Sequence, residues 1–407
     1  MNQNDCKQHE SVFLEDTKRT NYPNLGQDIH VDLAIVGGGI VGITLAHLLK
    51  HSGQKIALLE ANRIVEGMTV KSTAKLTLQH QLIYDKLVHT KSPGKAKQYA
   101  DANREAINFI KELIKQEHIE CDLVDVPSYV YTTEERKVRK IKDELEACKR
   151  LGIEMEYRDS LPINLPIKAA LEWSDAALFH PRKYLLHLAE GFVKAGGKIY
   201  ENTCIQSVIP NKRIDKEGTI LETKEGKRII AQEVVIASRF PMYDGMSFYF
   251  SSLNTKKINV IGARVKANEL PKGSFISVDE LGYSIRPVYE KKLVLIEGEE
   301  RPFEALQDFG KKVFNTEDID YFWSIQDYVT RDQLPYIGYL NSKLSHNLYV
   351  ATGFNACSMI EGTNAALVLQ DMLLMGRSNY EELFNPKRTG AISTFSFVAH
   401  HTEAIKN

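Results

Sequence analysis

Val31-Asp-Leu-Ala-Ile-Val-Gly-Gly-Gly-Ile-Val-Gly42 is an apolar run cut short by three consecutive glycines. Residues 31–36 are mostly aliphatic and β-branched, the pattern of a strand covered on both faces. From Ile40 to Lys50 the spacing changes. Val41, Leu45, Leu48 and Leu49 recur at three- and four-residue steps, which predicts a helix closed by Gly53. Lys55-Ile-Ala-Leu-Leu-Glu60 then reads as a second buried strand ending in an acid. Gly37, Gly39 and Gly42 therefore fit G-x-G-x-x-G between a strand and a helix, the context that gives the motif meaning. The first glycine permits the tight turn, the second lets the backbone approach a pyrophosphate, and the third lets helix and strand pack closely. Free N–H groups and the helix dipole at Ile40 and Val41 attract the phosphates, and Glu60, followed by Ala61, sits where a carboxylate accepts ribose hydroxyls.

The rest of the composition excludes more than it asserts. A chain of 407 residues is long enough for two cores. Its formal net charge of −1 gives no electrostatic reason to expect nucleic acid or an anionic membrane as partner. Cys6, Cys121, Cys148, Cys204 and Cys357 are scattered and form no C-x-x-C pair, so no disulfide framework, metal site or iron–sulfur cluster is expected and a reducing cytoplasm fits. The polar residues 1–28 lack the basic-then-apolar order of a secretory signal. Glycines interrupt residues 31–49, so no membrane span is expected there.

Farther along, residues 101–118 and 134–151 read as charged amphipathic helices. Residues 127–132 and 167–173 read as short strands, 181–193 as a helix, 198–208 as a strand and 233–238 as another buried strand. Alternation over 257–297 predicts an antiparallel sheet, and from residue 347 the chain returns to strand (348–353), glycine turn and helix (359–374). These patterns predict an α/β protein with a Rossmann-like dinucleotide-binding domain and a second, antiparallel-sheet α+β substrate domain. The first is assembled from residues 26–84, 176–240 and 341–385; the second from 85–175 and 241–340; residues 1–25 and 386–407 are terminal extensions.

The glycine motif alone does not choose between FAD and NAD. A dehydrogenase would continue its parallel sheet after Glu60, whereas this chain enters the hydroxyl-rich Ser72-Thr-Ala-Lys-Leu-Thr77 and returns to the nucleotide fold from far away. Here the sequence resembles the FAD-dependent oxidoreductases of the D-amino-acid oxidase superfamily. The resemblance is carried by the opening strand and turn, by Ala177-Leu-Phe-His-Pro181, Glu201-Asn-Thr-Cys-Ile205 and Val234-Val-Ile-Ala-Ser238, and by Tyr283-Ser-Ile-Arg-Pro287 and Asp332-Gln-Leu-Pro-Tyr-Ile-Gly338. Ser72-Thr-Ala-Lys-Leu-Thr-Leu-Gln-His80 and Trp323-Ser-Ile-Gln-Asp-Tyr328 are similar to a bacterial branch whose members often carry a C-terminal Rieske domain. After Leu374 the sequence shows no Cys-x-His and Cys-x-x-His ligand pairs for such a centre, so electrons are expected to pass to oxygen or to a separate acceptor protein.

The resemblance implies FAD as cofactor, a small-molecule substrate, and oxidation of an amine or amino acid by hydride transfer to flavin N5. It puts Ile205 beside the adenine, Ala237 on the returning strand, and Lys75 near the isoalloxazine. Ser72 and Thr73 are expected to bond the pyrophosphate or ribityl chain. The turn before residue 359 offers backbone N–H groups, so Gly353, Ser358 and Met359 are expected flavin contacts. Cys357 in that turn reads as a neutral thiol, with covalent flavin attachment left open. His80 and His180 lack a second ligand at metal spacing and read as structural, and no metal is expected. Arg286 is the candidate fork for a substrate carboxylate. A second arginine usual in the family is replaced here by Gln326 and Asp327. Asp327 either favours a cationic amine or pairs with Arg331 or Arg286. Two alternatives stay open from sequence: a non-catalytic or electron-transfer flavoprotein, and an NAD-linked dehydrogenase.

Overall fold

The computed structural model describes residues 10–210, 218–238, 243, 253–340 and 347–388. Cys6, most of the 386–407 extension and the first residues of the 1–25 extension lie outside them. Strand Ile29–Val36 pairs in parallel with Ile56–Leu59 on one side and Arg228–Ile236 on the other. Lys198–Tyr200 extends the sheet beyond Ile56–Leu59, and Leu348–Thr352 joins the far half of Arg228–Ile236, both in parallel. Leu33, Ala34 and Ile35 have no exposed surface, as a strand sandwiched between layers requires.

Helices Ile40–Leu48 and Ser358–Met375 pack on this sheet and on each other. Both are buried over most of their length, enclosed by sheet and neighbouring helices. A methyl on Gly362 would come 2.6 Å from Ile40 Cγ2, so the absence of a side chain there sets their separation.

The second sheet has eight strands, in the order Ile319–Thr330, Leu253–Arg264, Leu293–Glu299, Tyr283–Val288, Ser274–Ser277, Ser128–Thr132, Ala169–Trp173 and Glu156–Arg158. It is antiparallel as expected except at one junction, where Ser274–Ser277 runs parallel to Ser128–Thr132. Lys75–Leu76, Ala177–Leu178 and Val124–Asp125 form a separate three-stranded patch, and Lys75 reaches from it to Ser284 and Glu297 of the second sheet.

Three local readings change. Residues 198–208 form two strands, Lys198–Tyr200 and Ile205–Ile209, instead of one. The break has a cause: buried Glu201 accepts the amides of Tyr22 and Ile64, each at 2.9 Å, and so ties the N-terminal segment to the sheet edge. Helix Phe303–Phe314, not singled out in the sequence, covers the second sheet through Leu306, Val313 and Phe314. Strand Tyr336–Tyr339 pairs with Leu348–Thr352 and belongs to the first sheet, although residue 340 was the expected end of the substrate segment. No helix among the described residues is long and apolar enough to cross a membrane.

Candidate functional site

The glycine turn opens onto a cavity of about 440 Å³. Gly37 has φ +118°, and a Cβ there would lie 2.6 Å from the Ala237 carbonyl oxygen; a Cβ on Gly42 would lie 1.9 Å from Gly37 O. Only glycine permits this meeting of strand, turn and helix. Gly37, Gly39, Ile40, Val41, Glu60, Ala61, Ser72, Thr73, Ile205, Ala237, Gly353 and Ser358 all line this cavity. Gly42 sits behind it as the packing glycine. The expected residues are thus gathered from six separated parts of the chain.

Glu60 receives the amides of Gly38 (2.8 Å) and Asn62 (2.9 Å), so it shapes the turn while facing the cavity. Thr69, not anticipated, accepts the Ile40 amide at 3.1 Å at the start of the first helix. The second helix begins at Ser358 on the same cavity, so two positive helix ends converge. The turn before it is shaped by Gly353 (φ +78°), Asn355 (φ 49°) and Ala356 (φ 63°). Asn355 holds it by accepting the Thr330 amide at 3.1 Å and donating to Gln333 O and Gly353 O, both at 3.0 Å. Asp327, which lines the cavity, accepts the Ala356 amide.

A second cavity of about 180 Å³ adjoins the first, with Ser72, Thr73, Ile258, Glu297, Ala356 and Ser358 in both walls. Lys75 and Met359 line it. Lys75 is largely buried and ion-paired with Glu297, and it also donates to Ser284. Thr73 donates to the same carboxylate at 3.2 Å. Burial pushes the Glu297 carboxyl up, but the Lys75 ammonium and the hydrogen bonds from Lys75, Ser284 and Thr73 outweigh it and hold the pKa below its ordinary value. Glu297 was missed in the sequence, although a carboxylate closing the apolar run Leu293-Val-Leu-Ile-Glu297 was a visible signal.

Arg286 is a correction. Its guanidinium is buried, donates to the Thr73 carbonyl and, at 2.9 Å, to the Phe179 carbonyl, and lies over the Phe13 ring. It lines neither cavity. Its work is to tie the second sheet to the Ser72–Thr73 segment and to the residues before helix Pro181–Lys194, not to grip a substrate.

The two histidines divide. His180 caps helix Pro181–Lys194, accepting the Lys183 amide at 3.2 Å. His80 lines the second cavity. Cys357 is half-buried, and loss of solvation, then neighbouring Glu361, pushes its thiol well above the ordinary range.

Together the walls offer free backbone amides and two helix ends for phosphates, a carboxylate and hydroxyls for ribose and ribityl oxygens, and apolar Val36, Ile205 and Ala237 for a flat ring. This donor set fits the FAD expected from sequence.

Residues 32–372 match the FAD dependent oxidoreductase family. The chain is 34% identical over 391 residues to the putative Rieske 2Fe-2S iron-sulfur protein YhfW of Bacillus subtilis, covering 93% of this chain and 75% of that protein. It is 25% identical over 198 residues to the gamma-glutamylputrescine oxidoreductase of Escherichia coli, 47% of this chain and 46% of the relative. Among solved structures, glycine oxidase from Geobacillus kaustophilus superposes with a TM-score of 0.72 at 19% identity, covering 89% of this chain and all of that one, which is a likeness of fold.

Proposed function

The chain belongs to the FAD-dependent oxidoreductase family, and from that premise we propose that it oxidises a small amine or amino acid in the second cavity to an imine, which water hydrolyses. The observation that carries this reading is the shared wall: the small cavity opens beside the cradle at Ser72, Thr73, Glu297, Ala356 and Ser358. FAD held in the cradle would supply the electron sink, at flavin N5, for a hydride leaving the substrate carbon.

The chain's own groups do the rest. Gly39 and Val41 would present amides to the diphosphate, on a turn and helix start that Gly37 and Ile40 build through amide bonds to Leu59 O and Thr69; Glu60 and Ala61 would hold the adenosine ribose, and Ile205 and Ala237 the adenine. Ser72, Thr73, Gly353, Ser358 and Met359 would surround the ring system and ribityl chain. Lys75, fixed by Glu297 and Ser284, sets its ammonium in the second cavity beside the shared-wall residue Glu297, where it would favour electron density arriving on the cofactor. Residues 26–84, 176–240 and 341–385 with strand Tyr336–Tyr339 act as the cofactor-holding unit, and the eight-stranded sheet as the substrate-side wall. The names of the relatives, a glycine oxidase and a gamma-glutamylputrescine oxidoreductase, span an amino acid and an amine and support this substrate class. Electrons then leave to oxygen or to a separate acceptor protein.

The family match sets aside the NAD-linked alternative. The test is an anaerobic screen of amines and amino acids against the purified flavoprotein. Bleaching of the oxidised flavin band by a member of either class is expected. A flavin that dithionite reduces and no such compound bleaches would favour a pure electron-transfer role instead.

A further inference from the structure

One polar chain at the second cavity is used by nothing above. His80 and Tyr99 both line that cavity, on separate elements: His80 follows the three-stranded patch and Tyr99 lies in helix Pro93–Gln116. His80 Nδ1 is 2.7 Å from Tyr99 Oη, and Tyr99 donates at 2.6 Å to Glu361 Oε1 on helix Ser358–Met375. His80 is 6% exposed and Glu361 fully enclosed, while His80 Nε2 has no hydrogen-bond partner. A buried imidazole with one nitrogen engaged and the other free has a use for the free one.

We infer that His80 Nε2 accepts the proton of a substrate ammonium in the second cavity and that Tyr99 passes the charge to Glu361. This rests on the amine-oxidation reading, because an amine gives up a hydride only with its nitrogen lone pair free. The transfer balances. One ammonium N–H breaks as Nε2–H forms. Nδ1–H breaks as a new Tyr99 O–H forms, and the old Tyr99 O–H breaks as Glu361 gains O–H. The imidazole is neutral before and after and changes only its tautomer, so no charge is left on a ring that burial disfavours. Burial pushes the His80 pKa down to about 4, with a contact to the Thr77 carbonyl offsetting a little, and so forbids a resting imidazolium. Burial pushes Glu361 up to about 8, so it becomes free to take the relayed proton as pH rises through that value. Tyr99 is pushed well above its ordinary range and stays neutral. The groups acting on this relay are Tyr84 with Glu144 and Cys148 beside it, Cys357, and the cations Arg104 and Arg388.

His80 touches the substrate; Tyr99 and Glu361 are positioning residues. The test is nitrogen NMR on the FAD-loaded protein labelled at histidine, with His80 assigned through H80N. In the wild type His80 carries its proton on Nε2 at pH 6 and on Nδ1 at pH 9.5, changing over as Glu361 ionises. Y99F and E361Q abolish the changeover. With an amine that bleaches the flavin, kcat/KM rises with pH through the same changeover, and both variants lose about 100-fold along with that step. A tautomer identical at both pH values, an imidazolium at pH 6, or the same pH profile in all three proteins overturns the proposal. A changeover in a protein that no amine reduces keeps the relay and overturns amine oxidation.

Discussion

Gly42 and Gly53 are both glycines near the first helix, and a methyl group at each should have a different effect on the cradle. At Gly42 the methyl meets Gly37 O at 1.9 Å, where neither partner can turn away because both are backbone. Gly42→Ala is expected to cost about 1–3 kcal/mol and to empty the cradle. Gly53 has φ +80° and open space around it, so Gly53→Ala should cost about 1–2 kcal/mol of backbone strain and leave flavin content intact. Thermal unfolding with flavin absorbance separates the two; equal flavin loss would contradict the assignment of the turn. At Lys75 the prediction concerns charge. Lys75→Met leaves Glu297 buried without its counter-ion and should cost about 3–5 kcal/mol, much of it recovered in K75M/E297L. The sign with pH follows from Glu297. Its folded pKa lies below the ordinary 4.5, so its contribution is present above 4.5 and is lost as pH falls through the lower folded value. The gap between wild type and K75M should therefore be wide at neutral pH and close in acid, as unfolding at several pH values would measure.

Helices Ile40–Leu48 and Ser358–Met375 aim their N-termini at one cavity because Gly362 lets them approach. Gly362→Ala should push them apart against Ile40 Cγ2, lowering stability by about 1–3 kcal/mol and weakening FAD retention. Ile40→Ala in the same chain should restore part of both, and strictly additive losses in the double variant would contradict the contact. This half of the site was legible in the sequence because its signals are local: a two-sided apolar strand, a glycine run, a helical period, an acid at the next strand's end. The 353–359 turn was legible for the same reason. What sequence could not show is long-range. Arg286 sits in a segment similar to a substrate-facing strand, yet the Thr73 and Phe179 carbonyls, far from it in the chain, claim its guanidinium. Glu297 meets Lys75 only because the three-stranded patch meets the second sheet, and His80 finds Tyr99 and Glu361 only through helix packing. The strand at residues 198–208 broke for a like reason, since Glu201 answers to the N-terminal segment and not to its neighbours in sequence.

Across the whole molecule, buried titratable groups set a pH dependence of stability. His80 and His180 have folded pKa values near 4 and 3, so their neutral burial favours the fold increasingly up to the ordinary 6.5 and adds nothing beyond it. Glu144, which holds the Tyr84 and Asp85 amides, is pushed to about 7 by burial, and Glu361 to about 8, both from 4.5. Between 4.5 and those values the folded state binds more protons than the unfolded one, so stability falls as pH rises. Above 6.5 only this falling part remains. The protein should melt lower at about pH 8.5 than at about pH 6.5, and Glu361→Gln should remove most of the difference; a flat or rising profile would contradict the burial of these acids.

Two sheets, two helix ends and segments more than 300 residues apart in sequence close around one cavity, and the account stands or falls on what fills it. The direct measurement is to purify the protein gently, denature it, and identify and quantify the released pigment, with FAD titrated into any apoprotein. One FAD per chain, released on unfolding and taken up again on refolding, is the predicted result. A colourless protein that binds no added FAD would contradict it.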